Sequence, residues 1–387
     1  MDLSYILNQL GEEDRERHRG AVAPPVYQTS IFAFPTVAAM REGFRDELDR
    51  TVYTRGNNPT VEVLRKKLAA LEGAEDALLF GSGAAAIAAG VIACVAAGDH
   101  VVCVQKPYSW TRTLLRELLG KFGVTHSFVD ATSVAKVEAA LTPRTRLIVL
   151  ESPNTMTFEQ QDLAAVAQLA RGHGLRTLVD NSYATPLHQQ PIALGIDLVA
   201  HSATKYLNGH SDVLAGVLVC REDSEYWQGL RKVRAYVGGT LGSFESWLLA
   251  RGLRTLHLRV RAACASAQKI AEHFAAAHPH VAEVLYPGLQ GAQGHEIALR
   301  QMHGGFGGML SVRARGGEAA AIATAAHVQM WKRATSLGGT ESLIEHRASV
   351  EGAGSPVPAD LLRLSVGLEH VDDLIGDLEQ ALARAHG

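Results

Sequence analysis

From about residue 77 the chain alternates short apolar runs with stretches of helical spacing. ALLFGSG (77–83) gives way to the alanine-rich AAAIAAGVIACVAAG (84–98). HVVCV (100–104) precedes TRTLLRELLGKFG (111–123), and RLIVLESP (146–153) precedes FEQQDLAAVAQLARGHG (158–174). LRTLVDNS (175–182) and IDLVAHSATK (196–205) then follow closely. Short runs that are apolar throughout are buried on both faces, and their alternation with helices predicts a largely parallel sheet with helical cover, an α/β fold.

Both ends of the chain read differently. Residues 1–50 pass from a charged segment to AVAPPVYQTSIFAFPT (21–36), too rich in Pro, Ser and Thr to bury itself, and are expected to form an arm lying on another part of the fold or on another subunit. Past residue 245, SFESWLLARGLRTLHLRVRAACASAQKIAEHFAAA (243–277) predicts a long amphipathic helix broken at Gly252. VAEVLYPG and GGMLSVRAR then read as strands, and VDDLIGDLEQALARA (371–385) as a closing helix. The expected organisation is an arm (1–50), a large domain (51–245) and a smaller α/β domain (246–387).

Composition narrows the class without changing this picture. The 387 residues carry a formal net charge of −3 with no dense Lys/Arg cluster, which argues against a nucleic-acid partner or a polybasic membrane surface. Cys94, Cys103, Cys220 and Cys264 form no CxxC pair and fit neither a disulfide framework nor a zinc site. With no HExxH-type spacing, no metal is expected. The N-terminus lacks a signal-peptide apolar core, and the longest apolar stretch, 84–98, falls short of a membrane span. A cytoplasmic enzyme acting on a small molecule is the expectation.

In an open parallel sheet, ligands collect outside the carboxyl ends of the strands. Four polar groups fall there: Gly81–Gly83, Glu151–Ser152, Asp180–Asn181, and the run from Ser202 to Lys205. Taken singly, each has a plain structural reading, as a strand–helix turn, a helix cap or a surface charge. Together they form a set. A helix N-terminus at Gly83 and Ala84 cradles an anion. Asp180, ending an apolar run, needs a cationic or hydrogen-bonding partner, and a protonated heterocycle is one such partner. Ser202 and Thr204 offer hydroxyls to a phosphate, and Lys205, desolvated, can condense with an aldehyde. Phosphate, protonated ring nitrogen and aldehyde are the functional groups of pyridoxal 5′-phosphate. A dinucleotide-binding oxidoreductase is excluded because no GxGxxG opens the first βα unit.

HSATKYLNGHSD, with YTRGNNPT, LVDNSYATP, SLGGTESLIEH and LLRLSVGLEHVDDLI, resembles the Cys/Met-metabolism family of pyridoxal-phosphate enzymes over almost the whole chain. That family comprises cystathionine γ-synthases, cystathionine β- and γ-lyases, methionine γ-lyases and homoserine sulfhydrylases. The resemblance implies the aspartate-aminotransferase-like fold (fold type I) and a homotetramer of two active dimers. It implies that Lys205 holds the cofactor and shuttles protons, and that Asp180 pairs with the ring nitrogen. Gly83, Ala84, Ser202 and Thr204 would bind the phosphate, with Tyr53 and Arg55 reaching the neighbouring subunit's phosphate. Tyr108 would stack on the ring and act as acid or base. Arg363 would clamp the amino-acid substrate's carboxylate, with Asn154, Thr335 and Ser336 as further substrate contacts.

Some positions depart from the family pattern. ESPNTMTFEQQD (151–162) stands where relatives read Glu-Ser-Pro-x-Asn-Pro, so that Thr155 takes the usual asparagine position and Asn154 falls one place early. This form, and the short link from ESLIEH to LLRLSVGLE, look like the bacterial cystathionine β-lyase branch. Leu337 and Thr335 do not follow the β-lyase pattern, and Trp110 beside Tyr108 narrows the expected pocket. On this balance the first expectation is β-elimination of cystathionine or a related cysteine conjugate. The alternative is γ-elimination or γ-replacement on a homoserine derivative. A non-catalytic regulatory protein of the same fold would be expected to have lost Lys205 or Asp180.

Overall fold

The apolar runs of the first half are strands of one seven-stranded sheet: β1 (Asp76–Phe80), β2 (His100–Val104), β3 (Thr125–Val129), β4 (Thr145–Glu151), β5 (Arg176–Asp180), β6 (Leu198–Ser202) and β7 (Gly216–Cys220), in the order β1-β7-β6-β5-β4-β2-β3. The computed structural model describes residues 1–387 apart from Arg15, Arg17 and Ala353. β2 to β6 run parallel to one another, and in β2, β4, β5 and β6 the apolar residues are buried on both faces by helices, as continuous hydrophobic strands require. The helix Gly83–Cys94 lies over β6 and β7.

β7 is the element the strand–helix rhythm does not reveal. No crossover helix separates it from β6; the chain turns back after Lys205 and enters the sheet antiparallel to both β1 and β6, with Gly216 opposite Ser202. Two helix boundaries also move. The helix after β4 spans Leu163–Gly172, capped by the Asp162 carboxylate on Ala165 N at 3.0 Å, so that 152–161 is free to form a loop over the sheet edge. The long helical stretch breaks at Arg254–Thr255 and not at Gly252, which stays helical within Ser243–Leu253. A Cβ on Gly252 would come within 2.4 Å of Asn208 O, so this glycine serves close packing instead of a break.

The second half contributes β8 (Val281–Leu285), β9 (Met309–Ala314), β10 (Lys332–Arg333), β11 (Leu343–His346) and β12 (Leu361–Ser365), in the order β10-β11-β12-β9-β8. The closing helix Val371–Ala385 packs Leu374, Leu378 and Leu382 into a core with Leu310, Val312, Leu362 and Leu364. The expected division at 245/246 falls inside the helix Ser243–Leu253. Its Leu249, Ala250 and Leu253 join the core of the seven-stranded sheet, and it packs on the helix Pro59–Glu72.

The start of the arm is tied to its own chain. Leu3–Asn8 is a helix that buries Ile6 and Leu7, and the fully buried Lys67 ammonium bonds to Ile6 O and Leu7 O at 3.1 Å each and to Glu12 at 3.0 Å. Further along, Val22, Ile31, Val37 and Phe44 are exposed. Among the described residues, no helix is long and apolar enough to cross a membrane.

Candidate active site

The carboxyl ends of β4, β5 and β6 and the turn after β1 converge on a cleft of about 300 Å³, closed from the other side by the loop before β11 and by β12. At one end the helix Gly83–Cys94 begins. Ser82 Oγ caps it by accepting from Ala85 N at 3.1 Å, while the first-turn N–H groups of Gly83 and Ala84 have no intrahelical acceptor. A Cβ on Gly83 would sit 2.7 Å from Ser202 Cβ, so glycine alone lets the helix start approach the end of β6. This cradle of amide donors with a serine hydroxyl fits a phosphate.

Ser202 and Thr204 both line the cleft, but with different freedom. The Thr204 hydroxyl is engaged by the Ala215 backbone, donating to its oxygen at 3.2 Å and accepting from its nitrogen at 3.0 Å. The Ser202 hydroxyl has no such partner among the described residues. Of the two expected phosphate-binding hydroxyls, the structure leaves Ser202 the free one and turns Thr204 towards holding β7.

Asp180 lies half-buried at the end of β5. Ser182 donates to its Oδ1 through both backbone nitrogen (2.9 Å) and hydroxyl (2.6 Å), which leaves Oδ2 for a ligand in the cleft. Burial raises the Asp180 pKa, and Glu151, beside it on β4, is pushed up to about 7 by burial and by the Asp180 charge. Glu151 organises the site's rim: it accepts from Tyr108 N at 2.6 Å and from Thr155 N and Oγ1 at 2.9 and 2.8 Å. A cationic heterocycle beside Asp180 would offset the charge of these two carboxylates.

Lys205 follows β6 and points into the cleft, where its Nζ donates to Ser336 Oγ at 2.7 Å. Burial, and then the nearby Arg363 charge, lower its pKa from 10.5 to about 8, with Glu345 and Asp180 opposing. Ser336 is fixed by its own loop: Gly338 N donates to Ser365 Oγ at 3.1 Å, and Arg363 Nη2 donates to Ser336 O at 3.0 Å. Arg363 is buried on β12, with Nε 2.6 Å from Glu345 Oε1 and Nη1 3.4 Å from Thr155 O. Tyr108 lines the opposite wall, and burial raises its phenol pKa, so the ring hydroxyl is protonated at neutral pH.

Other expected residues stand apart. Asn154 does not face the cleft. It is fully buried, its amide nitrogen donates to Lys106 O, and its Oδ1 accepts from Met156 N (2.8 Å) and Thr157 N (3.0 Å), so it shapes the loop that Thr155 lines in its place. Thr335 is exposed at the cleft mouth. Tyr53 and Arg55 lie outside this chain's cleft: Arg55 is 3.6 Å from Glu47, with its guanidinium 5.2 Å from the Tyr53 ring centroid. Sequence reasoning overlooked Ser182, visible as the hydroxyl two residues after the strand-end aspartate. It also overlooked Arg347, a charge directly after SLIEH, which lines the cleft beside Arg363.

Comparison with known proteins identifies the family. The family model described as "Cys/Met metabolism PLP-dependent enzyme" matches residues 6–383. A cystathionine gamma-synthase of Mycobacterium bovis is 44% identical over 368 residues, 94% of this chain and 92% of that protein. An L-methionine gamma-lyase of Pseudomonas putida is 41% identical over 380 residues, covering 95% and 94%. The crystal structure of metB from Corynebacterium glutamicum matches with a TM-score of 0.94 at 39% identity, over 100% of this chain and 99% of the other. The chain belongs to the Cys/Met-metabolism family of pyridoxal-phosphate-dependent enzymes and has its fold type I architecture.

Proposed function

We propose that this member of the Cys/Met-metabolism family acts at the γ-carbon of an L-amino acid, eliminating or replacing a sulfur or ester-oxygen substituent on a homoserine-type skeleton. The observation that carries the reading is Ser336, which accepts from the neutral-prone amine of Lys205 through its hydroxyl and from the α-carboxylate clamp Arg363 through its carbonyl. The relatives' names favour the γ-carbon, since cystathionine gamma-synthase and L-methionine gamma-lyase both act there.

Gly83, Ala84 and Ser202 would hold the cofactor's phosphate, Asp180 its ring nitrogen and Lys205 its aldehyde. When bound, pyridoxal phosphate supplies an electron sink conjugated to the substrate's Cα. The protein's part is positional and protonic. Arg363 grips the α-carboxylate with a planar fork that a lysine cannot match. Lys205, with a pKa near 8, has a substantial neutral fraction at working pH and takes the Cα proton. Chemistry at Cγ needs a second deprotonation, at Cβ, and the same amine, kept in place by Ser336 Oγ, serves it. Tyr108, protonated, donates to the departing group. Trp110 and Tyr108 line the cleft on the side of the helix after β2.

β-Elimination of cystathionine is the second reading, favoured by the ESPNTMTF segment, where Thr155 and not an asparagine meets the cleft. Identification of the 2-oxo acid decides between them. Holoenzyme given L-methionine, L-cystathionine or a homoserine ester is expected to yield 2-oxobutanoate or, with an added thiol, a γ-substituted product; pyruvate from cystathionine overturns the γ reading.

An active homo-oligomer is part of this proposal. Trp110, Leu118, Phe122, Leu214, Tyr236 and Val237 are exposed apolar side chains suited to a self-interface. Tyr53 and Arg55 are outward-facing and suited to a neighbouring subunit's phosphate. The four cysteines are free, in keeping with a reducing, cytoplasmic setting.

A further inference from the structure

Outward from Arg363 the ion pairs continue. Glu345 Oε1 is shared by Arg363 Nε at 2.6 Å and Arg347 Nη1 at 3.1 Å. Arg347 Nη2 pairs in turn with Glu351, four residues on in the short helix Arg347–Glu351, and Glu351 Oε2 takes Arg112 Nη2 at 3.2 Å. Three arginines and two glutamates thus form one run from the floor of the cleft to the helix that starts after Tyr108. Apart from Arg112, at 19%, their side chains are at most 6% exposed.

The charges of this run count to one surplus positive. A single α-carboxylate on Arg363 neutralises it. A second carboxylate, at the end of a substrate side chain, meets guanidinium groups already occupied, because Arg347 and Arg112 both pair with Glu351. Beyond those pairings, Nε of each is buried and has no hydrogen-bond partner among the described residues. Arg347 lines the cleft, so a carboxylate arriving there competes with Glu351 for the same forks.

We propose that Glu351 is a built-in substitute for a substrate's distal carboxylate, and that it selects amino acids with an uncharged side chain, such as a thioether or a neutral acyl ester, over those whose side chain ends in a carboxylate. This rests on the reading that the cleft binds an L-amino acid through Arg363. Glu351 is a specificity-determining residue in this account and touches neither the cofactor nor the reacting atoms. Its pairing with Arg347 is encoded locally, by the i,i+4 spacing of RASVE.

The test uses two amino acids of matched length that lack a leaving group, L-norleucine and L-2-aminoadipate, so binding is read without turnover. Calorimetric titration of the wild-type holoenzyme is expected to give norleucine the tighter binding by about tenfold or more. In Glu351→Gln the ratio is expected to move about tenfold or more towards aminoadipate, with norleucine affinity little changed. Glu351→Ala should shift it likewise, and added acetate, taking the vacated place, should restore the wild-type preference; acetate in the buffer also supports this variant if the glutamine form does not fold. Equal wild-type affinity for the two ligands, or a ratio that both variants leave unchanged, overturns the proposal. Because neither ligand has a group to expel, a product assay that returned pyruvate would defeat the γ-carbon reading alone.

Discussion

Lys205 Nζ and Ser336 Oγ, 131 residues apart in sequence, meet at 2.7 Å across the cleft between the two sheets. The amine therefore has a fixed direction, set by a loop that Ser365 and Arg363 anchor from below. Ser336→Ala removes the acceptor and leaves the amine free to rotate. The expected result is a fall in kcat of about tenfold, the worth of one hydrogen bond to a charged group, with KM changed much less. Steady-state kinetics on purified holoenzyme check it, and an unchanged kcat contradicts the role given to Ser336.

The pH dependence of cofactor loading follows from the Lys205 pKa of about 8. Only the neutral amine condenses with an aldehyde. The loading rate of apoenzyme with pyridoxal phosphate therefore rises as pH climbs towards 8 and levels off above it. A lysine with the ordinary value of 10.5 would keep gaining about tenfold per pH unit up to pH 10. Stopped-flow absorbance reads the difference.

Arg363→Lys keeps the charge and loses the fork. It leaves Glu345 and the Ser336 carbonyl imperfectly paired and the substrate carboxylate held at one point. We expect kcat/KM to drop by roughly 10- to 100-fold, mostly through KM. A loss confined to kcat would place Arg363 elsewhere in the reaction.

Gly83→Ala puts a methyl within 2.7 Å of Ser202 Cβ and 2.8 Å of its Cα. The helix start must withdraw from the end of β6, and the phosphate cradle opens. Equilibrium titration of the apoenzyme should show pyridoxal phosphate binding weakened by about tenfold or more. Wild-type affinity in this variant contradicts the cradle.

The strand ends carrying Asp180 and Ser202–Lys205 were legible because an apolar run that stops at a polar residue is a local signal. The same is true of the helix after Ser82, announced by Gly-Ser-Gly before an alanine run. β7 was not legible. Its position between β1 and β6 depends on the chain reversing after Lys205, which no periodicity records. Asn154 shows the same limit within the site: sequence fixed its place in the loop but not its inward turn onto Met156 and Thr157, which hands the cleft to Thr155. The Arg363–Glu345–Arg347–Glu351–Arg112 run joins three segments distant in the chain, so its pairing appears only once β11 and β12 are side by side and the helix after Tyr108 lies against them.

The claim that Lys205 serves chemistry at the γ-carbon is tested most directly by proton exchange in heavy water. Holoenzyme is mixed with L-norleucine, which has no group to expel, and its Cα and Cβ protons are followed by NMR. The account predicts that both positions exchange for deuterium and that Lys205→Ala exchanges neither. Exchange at Cα alone in the wild type would contradict it and leave only β-elimination within reach of this site.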